Sequence, residues 1–460
     1  MSNLHTHDNK RSSFSGKLGY VLSAAGASVG LGNIWRFPYL AAKYGGGIFL
    51  LIYILLALTF GYTMIIAESA LGRMTRKSPV GAFHAFGKAG WLSAGGWINA
   101  IIPVLIVPYY SVIGGWVIKY LIEYIRGNGK MLAADGYFSE FISNGVSTEL
   151  CFILFCLFTL TIIYAGVRNG IERVSKFMMP ILIVLSVLIA VYSVTRPGAM
   201  EGVKYFLVPN VKNFSWMTVV AAMGQMFYSL SIAMGILITF GSYMKKETSL
   251  EDSTRNVEVF DTAIAIMAGL MIIPAVFAFS GGDPDTLQAG PALMFITIPK
   301  VFENMGFGTV VGILFFLLVL FAAVTSSIAL TESAVSTFED ELGWSRRRAT
   351  VLVGVIMIAL GSLSSLGYGP LAGIKIIGMQ FLDFFDFLTN SVMMPIAAML
   401  TSLFVSRIVG MKRMEEEIMH GESTFRRKKI FIVMIKYLCP VFALIILISS
   451  VANAFGWIAM

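Results

Sequence analysis

Long apolar runs separated by short polar loops fill the chain from end to end. Eleven runs are long enough to cross a bilayer, at 17–39, 43–70, 91–124, 149–166, 173–195, 216–243, 256–280, 306–338, 349–367, 374–408 and 429–456. A spanning helix needs about 20 apolar residues. In lipid only helices and closed barrels satisfy their own backbone hydrogen bonds. These runs are too long and too evenly apolar for the alternating strands of a barrel. The pattern therefore predicts an all-α integral membrane protein with eleven transmembrane helices.

Composition strengthens that reading. Of the 460 residues, 57% are hydrophobic and 13% charged, about half the charge of a soluble domain. The formal net charge of +8 does not mark a nucleic-acid binder, because the basic residues sit in short loops rather than on one face. Lys10 and Arg11, Arg73 to Lys77, Arg168 to Lys176, Lys245 and Lys246, Arg346 to Arg348, and Lys412 to Lys429 fall in alternate loops. The positive-inside bias places these loops and the N-terminus in the cytoplasm, and an odd number of spans places the C-terminus outside. The expected location is the plasma membrane. Met1 to Ser15 lack the apolar core of a signal peptide, so the first run is kept as a span. Cys151, Cys156 and Cys439 lie in apolar runs without metal-ligand spacing and read as packing residues. The resulting organisation is a cytoplasmic segment 1–16, a first half 17–195, an extracellular loop 196–215 and a second half 216–408. A cytoplasmic loop 409–428 and a last span with extracellular C-terminus 429–460 follow. Within the outer loop 280–303, Pro291 to Phe295 are expected to form a short re-entrant hairpin.

Two runs are poor helices at their centres. The first carries Gly26, Gly30 and Gly32, and the sixth carries Tyr228-Ser229-Leu230-Ser231 and Gly235. Glycine in a helix interior costs about 1 kcal/mol. Interruptions at corresponding places in two halves point to a midplane binding site in an inverted-repeat transporter. Unwinding frees carbonyls that replace the water shell of a cation, and half-helix N-termini attract a carboxylate. Close helix packing through small residues is the simpler explanation for the first run alone. Polar and ionisable residues at membrane depth, among them Asn33, Asp261 and Thr325 to Ser327, weigh for a functional site.

The run Gly26-Ala27-Ser28-Val29-Gly30-Leu31-Gly32-Asn33-Ile34-Trp35-Arg36-Phe37-Pro38 is followed by Gly45-Gly46-Gly47. Gly224-Gln225, Ser229-Leu230-Ser231, Thr325-Ser326-Ser327 and Phe338-Glu339-Asp340-Glu341 recur at matching distances. In these residues the chain resembles the neurotransmitter:sodium symporter family, in its bacterial branch of eleven-span amino-acid transporters. Members of this family are among the transporters on which the midplane rule rests, so rule and resemblance are not independent. The resemblance implies a leucine-transporter-like fold of five plus five inverted helices, with helices 1 and 6 unwound. It also implies sodium-coupled symport of a neutral amino acid by alternating access.

Roles for individual residues follow from the resemblance. A first sodium site would use the carbonyl of Ser28 with Asn33, Ser229, Asp261 and the substrate carboxylate. A second would use carbonyls of Gly26, Val29 and Ala322 with hydroxyls of Thr325 and Ser326. Substrate would lie against Ala27, Ser28, Leu31, Gly32, Ile106, Tyr110, Tyr228, Ser229, Ser231, Met234, Ser326 and Leu330. Tyr110 would donate to the carboxylate and Tyr228 would lid the pocket. Arg36, Tyr228 and Asp386 would form an outer gate, with Asp383 a competitor for Asp386. Arg11, Phe14, Tyr243 and Asp340 would form an inner one. Gly170 and Pro180 would let helix 5 unwind. Tyr53, Glu68 and Gln225 would support the site. Partners would be the amino acid and the bilayer, and a monomer suffices.

Two positions depart from the family pattern. Asp261 replaces a usual asparagine, and Ala265 stands one turn on where relatives carry Glu or Ser. A fixed negative charge beside the sodium site should make chloride unnecessary, and its protonation on the return step would give proton antiport. Ala233 stands where close relatives have Gly, and this should disfavour very bulky substrates. Aliphatic or medium-sized hydrophobic side chains are expected. A proton-coupled permease of the same architecture remains the main alternative; Thr325 and Ser326 opposite Gly26 and Val29 weigh for sodium. A channel fits poorly with an aromatic lid. An enzyme fits poorly because His5, His7, His84 and His420 all lie in loops or termini. A sensor without turnover would be separated from a transporter by flux in proteoliposomes.

Overall fold

The computed structural model describes residues 12–87, 90–281, 290–420 and 424–458. Arg11, expected at the inner gate, lies outside them. The first apolar run divides into α1 (Lys17–Ser28) and α2 (Phe37–Lys43). Unbroken helices follow as α3 (Gly47–Thr75), α4 (Gly90–Ile125), α5 (Gly145–Tyr164) and α6 (Val167–Val194). The sixth run divides into α7 (Trp216–Ser229) and α8 (Ile236–Ser242). The set closes with α9 (Leu250–Ser280), α10 (Gly308–Leu342), α11 (Arg346–Leu366), α12 (Phe381–Ile418) and α13 (Lys428–Ala454). Nine of these, all but the four broken arms, are long and apolar enough to cross a membrane, among the described residues.

Burial sorts the helices into centre and rim. The most apolar window of α4 is 78% buried and that of α10 is 72%, against 33% for α13. A helix that is apolar all round must sit in a core or face lipid; α4 and α10 do the first, α13 largely the second. The arm α1 packs on α6, α9 and α10, and the arm α8 packs on α3. The broken pair is thereby enclosed by the central helices.

Helix ends differ from the apolar runs for local reasons. α9 begins at Leu250 rather than 256 because Ser249 Oγ accepts from Asp252 N at 3.1 Å, a side-chain cap. Glu251 and Asp252 in its first turn suit the positive end of the helix. α12 begins at Phe381 rather than 374 because Ile376 and Met379 exchange two backbone hydrogen bonds of 2.9 Å. Ile377 and Gly378 turn there with φ of 52° and 78°.

The expected hairpin at Pro291 to Phe295 takes another form. A wide turn at Leu293–Thr297 runs straight into the helix Ile298–Glu303, and residues 282–289 lie outside the described set. Aromatic packing holds this run in place. Phe295 stacks on Phe138 at 5.2 Å and meets Trp116 edge-on, and Tyr120 Oη donates to the Phe295 carbonyl at 2.8 Å. The three cysteines are free thiols, Cys156 and Cys439 buried and Cys151 half-buried.

Candidate functional site

The break in the first run has a packing cause at each glycine. α1 ends at Ser28, and Val29 is extended with φ −75° and ψ 92°. A Cβ on Gly26 would lie 3.2 Å from Thr325 Cβ, and one on Gly30 would lie 2.7 Å from Ser326 Oγ. A Cβ on Gly32 would fall 2.3 Å from the ring of Tyr228. Absence of side chains lets α10 and the Tyr228 ring reach this backbone.

The break in the sixth run is a left-handed stretch. Ser231, Ala233 and Gly235 have φ of 53°, 59° and 70°. Two side chains from outside the run satisfy its freed amides. Glu68 Oε1 on α3 accepts from Ala233 N at 2.8 Å, and Asn99 Oδ1 on α4 accepts from Gly235 N at 3.2 Å. Glu68 was expected in this role and Asn99 was not. Ser231 Oγ donates to the Ala27 carbonyl at 3.0 Å and ties the two breaks together.

Two oxygen-rich clusters flank the breaks. In the first, Asp261 on α9 is fully buried. Asn33 Nδ2 donates to its Oδ1 at 2.8 Å, Ser229 Oγ lies 2.9 Å from either carboxylate oxygen, and Tyr53 Oη donates to its Oδ2 at 3.0 Å. Gln225 Nε2 donates to the Gly32 carbonyl at 3.1 Å and fixes the chain beside this cluster. In the second, Ser326 Oγ lies 3.1 to 3.3 Å from the carbonyls of Gly26, Ala27 and Val29. Thr325 Oγ1 lies 3.2 Å from the Ala322 carbonyl. One hydroxyl has one proton, so Ser326 satisfies one of those three carbonyls at a time. The surplus of neutral oxygen acceptors suits a hard monovalent cation; a soft metal would need sulfur or imidazole. Among the described residues no group of His, Cys, Asp and Glu could hold a transition metal.

Between the clusters lies a chamber of about 30 Å³, lined by Ala27, Ser28, Gly30, Leu31, Gly32, Asn33, Ile106, Tyr110, Tyr228, Ser231, Met234, Ile236, Ser326 and Leu330. Every residue expected against the substrate is on this wall except Ser229, whose hydroxyl turns to Asp261. Gly30, Asn33 and Ile236 are additional. The chamber as it stands has room for little more than a water molecule. Its polar end is made by Tyr110 Oη, which accepts from Leu31 N at 3.3 Å.

Tyr228 separates this chamber from a vestibule of about 410 Å³ that contains Arg36, Asp383 and Asp386. The Arg36 guanidinium lies over the Tyr228 ring, 5.3 Å from its centre. Asp386 accepts from Tyr109 Oη at 3.2 Å and from Asn390 Nδ2 at 2.5 Å, while Asp383 accepts from Tyr368 Oη. Arg36 thus meets the lid ring, and both acids share the vestibule with it.

At the opposite end Phe14 is buried among Tyr20, Phe240 and Tyr243. Its amide donates to the Tyr243 carbonyl at 3.1 Å. Tyr243 Oη donates to Glu332 Oε1 at 2.6 Å, and Glu332 is held by Arg346. Asp340 accepts from Ser78 N at 2.6 Å. Glu332 and Arg346 escaped the sequence reading as gate residues, although an ionisable residue inside an apolar run was a signal for Glu332. Gly170 lies in the wide turn that opens α6, and Pro180 lies ten residues along it; the stretch between them is helical.

Comparison with known proteins agrees with this arrangement. The model of the sodium:neurotransmitter symporter family matches residues 11–133 and 137–456. An uncharacterized sodium-dependent transporter of Bacillus subtilis is 34% identical over 420 residues, 90% of this chain and 92% of the relative. Another from Haemophilus influenzae is 32% identical over 97% of this chain and 99% of its own length. The human sodium- and chloride-dependent GABA transporter 2 is 27% identical over 89% of this chain and 75% of its own length. The crystal structure of MhsT in complex with L-phenylalanine superposes with a TM-score of 0.86 at 36% identity, covering 96% of this chain and all of that one. The chain belongs to the sodium:neurotransmitter symporter family and is a sodium-dependent membrane transporter with the fold of that family.

Proposed function

We propose that the protein imports a neutral, hydrophobic L-amino acid together with sodium, by alternating access across the plasma membrane, with the N-terminus cytoplasmic and the C-terminus outside. The observation that carries this reading is the chamber between the two broken helices, flanked by one anionic and one neutral oxygen cluster. The substrate ammonium is held by carbonyls of the unwound stretches, and its carboxylate by Tyr110 Oη and the first sodium ion. The chamber wall around Ile106, Met234, Ile236 and Leu330 carries no charge, so it favours an apolar side chain. L-phenylalanine in the similar MhsT structure supports the class.

Asp261, Asn33, Ser229 and the Ser28 carbonyl form the first sodium site; Gly26, Val29, Ala322, Thr325 and Ser326 form the second. Asn33 now aims its amide nitrogen at Asp261 and receives Gly30 N at its oxygen. Sodium entry turns the amide oxygen inward, so the ion replaces the amide as partner of the carboxylate. Because Asp261 supplies a fixed negative charge, chloride is not required. Substrate carboxylate and sodium neutralise each other in a dry chamber, where charges interact strongly, and this makes their binding mutually dependent.

A thermal-shift screen of the twenty amino acids, in sodium and in potassium, tests the reading. A hydrophobic amino acid should raise Tm in sodium only, in line with binding to the folded state. Uptake into proteoliposomes should follow the sodium gradient and persist without chloride. Equal stabilisation in potassium, or uptake driven by a proton gradient with sodium removed, refutes the coupling and favours a proton-coupled permease.

A further inference from the structure

The outward-facing seam between α5 and α11 is not used by the transport site. At its basic end lies a hollow of about 530 Å³ lined by Tyr164, Trp344, Arg347, Arg348, Val351, Leu352 and Val355. It continues into a second hollow of about 410 Å³ along Leu157, Leu160, Gly354 and Ile358, and the two share Tyr164, Val351 and Val355. Val351 and Val355 are 62% and 60% exposed, so the furrow faces the surroundings of the bundle. Its mouth holds two guanidinium groups. Arg346 is engaged with Glu332 and Glu339, whereas Arg347 and Arg348 form no ion pair with a described residue. Arg347 lies over the ring of Tyr164 at 5.5 Å.

We propose that this furrow is a binding site for an anionic phospholipid, with the phosphate on Arg347 and Arg348 and one acyl chain along the seam. Three features carry it. Trp and Tyr belong at the membrane–water boundary, and Trp344 and Tyr164 mark that boundary beside the arginines. Basic pockets between helices at the cytoplasmic surface recognise phosphate headgroups. An isologous second copy of this chain on the same seam, with its two-fold axis along the membrane normal, would set its own Arg347 and Arg348 at the depth of the first pair, whereas a phosphate complements both. The second of these features rests on the orientation proposed above, which also decides which leaflet supplies the lipid. The site adjoins the inner gate, because the neighbouring Arg346 holds Glu332 and through it Tyr243.

The full-length protein is reconstituted in nanodiscs of phosphatidylcholine with phosphatidylglycerol, and lipid retained after release is counted by native mass spectrometry. Wild type should keep phosphatidylglycerol in preference to phosphatidylcholine. The double variant R347Q/R348Q should retain roughly tenfold less, given the attraction of each basic residue for an anionic headgroup. R347K/R348K, which keeps both charges, should retain most of it. Val355→Trp fills the furrow, leaves both arginines, and should lower retention also. The proposal is overturned if R347Q/R348Q retains as much as wild type, or if K412Q/R413Q, which removes exposed charge elsewhere, loses lipid equally. It is also overturned if millimolar inorganic phosphate displaces the lipid, which assigns the arginines to a free anion, or if the protein releases as a lipid-free dimer. Should the glutamine variant fail to fold, the lysine and tryptophan variants decide the matter.

Discussion

Asp261 gathers Asn33, Ser229 and Tyr53 around a buried carboxylate, and three neutral donors balance a negative charge less well than a cation does. Asp261→Ala should abolish sodium-dependent stabilisation by substrate, read as loss of the sodium-specific Tm shift. If Asp261 also takes a proton on the return step, uptake should depend on the pH inside proteoliposomes, and a flat response removes antiport. Ala233 illustrates strain at one residue. Its φ of 59° is left-handed, which costs an L-residue about 1–2 kcal/mol, while glycine forfeits roughly 0.5–1 kcal/mol of chain entropy. Ala233→Gly should therefore leave stability equal or up to about 1.5 kcal/mol higher by these figures. It should also extend uptake toward bulkier side chains, as competition by tryptophan would measure. Gly32 is constrained by neighbours: any side chain there meets Tyr228. Gly32→Ala should push the lid outward and raise the substrate concentration needed for half-maximal uptake, and unchanged uptake would show that the ring has room to yield.

The broken helices are held by partners in other elements. Glu68 on α3 and Asn99 on α4 grip the unwound stretch between α7 and α8, and Gln225 on α7 grips the stretch after α1. A Cβ on Gly26 would also lie 3.4 Å from Met179 Sδ, so α6 abuts the second cluster one residue before Pro180. Unwinding of α6 would thus loosen the wall of that cluster. The inner end is latched by a chain from Phe14 through Tyr243 to Glu332 and Arg346. Breaking a buried pair on one side costs about 3–5 kcal/mol. Glu332→Gln should loosen the inner end, and in that background Phe14→Cys should react faster with a membrane-impermeant thiol reagent from the basic-rich side. An unchanged rate would place the closing force in the aromatic cluster around Phe14.

Across the whole molecule, a vestibule of about 410 Å³ stands on one side of the chamber and a sealed aromatic plug on the other. With Tyr228 across the chamber mouth, access from the vestibule requires that ring to move, as the alternating access proposed above would need. Helix identity and the two interrupted helices were legible along the chain, because burial in lipid imposes uniform apolarity and glycine marks the exceptions. All but one of the residues that the resemblance set against the substrate face the chamber. The roles of Asn99 and the Phe295 run were not legible, because each depends on a partner far away in sequence; Glu332 stood out as an acid in an apolar run, but its partners Tyr243 and Arg346 did not. Helix ends at Leu250 and Phe381 moved for a related reason, since capping and turn chemistry do not alter hydropathy.

The amino-acid sequence by itself determined that this chain lives in a bilayer, where its helices are weak and which ionisable residues lie at membrane depth. All of these follow from the local cost of placing backbone and charge in hydrocarbon. Only the tertiary structure decided that Ser326 meets three carbonyls from a segment about 300 residues away, that Ser229 serves Asp261 instead of the chamber, and that Arg346 is spent on Glu332 while its two neighbours stay exposed. Such choices are made by distances of about 3 Å between remote segments, and hydropathy carries no information about them.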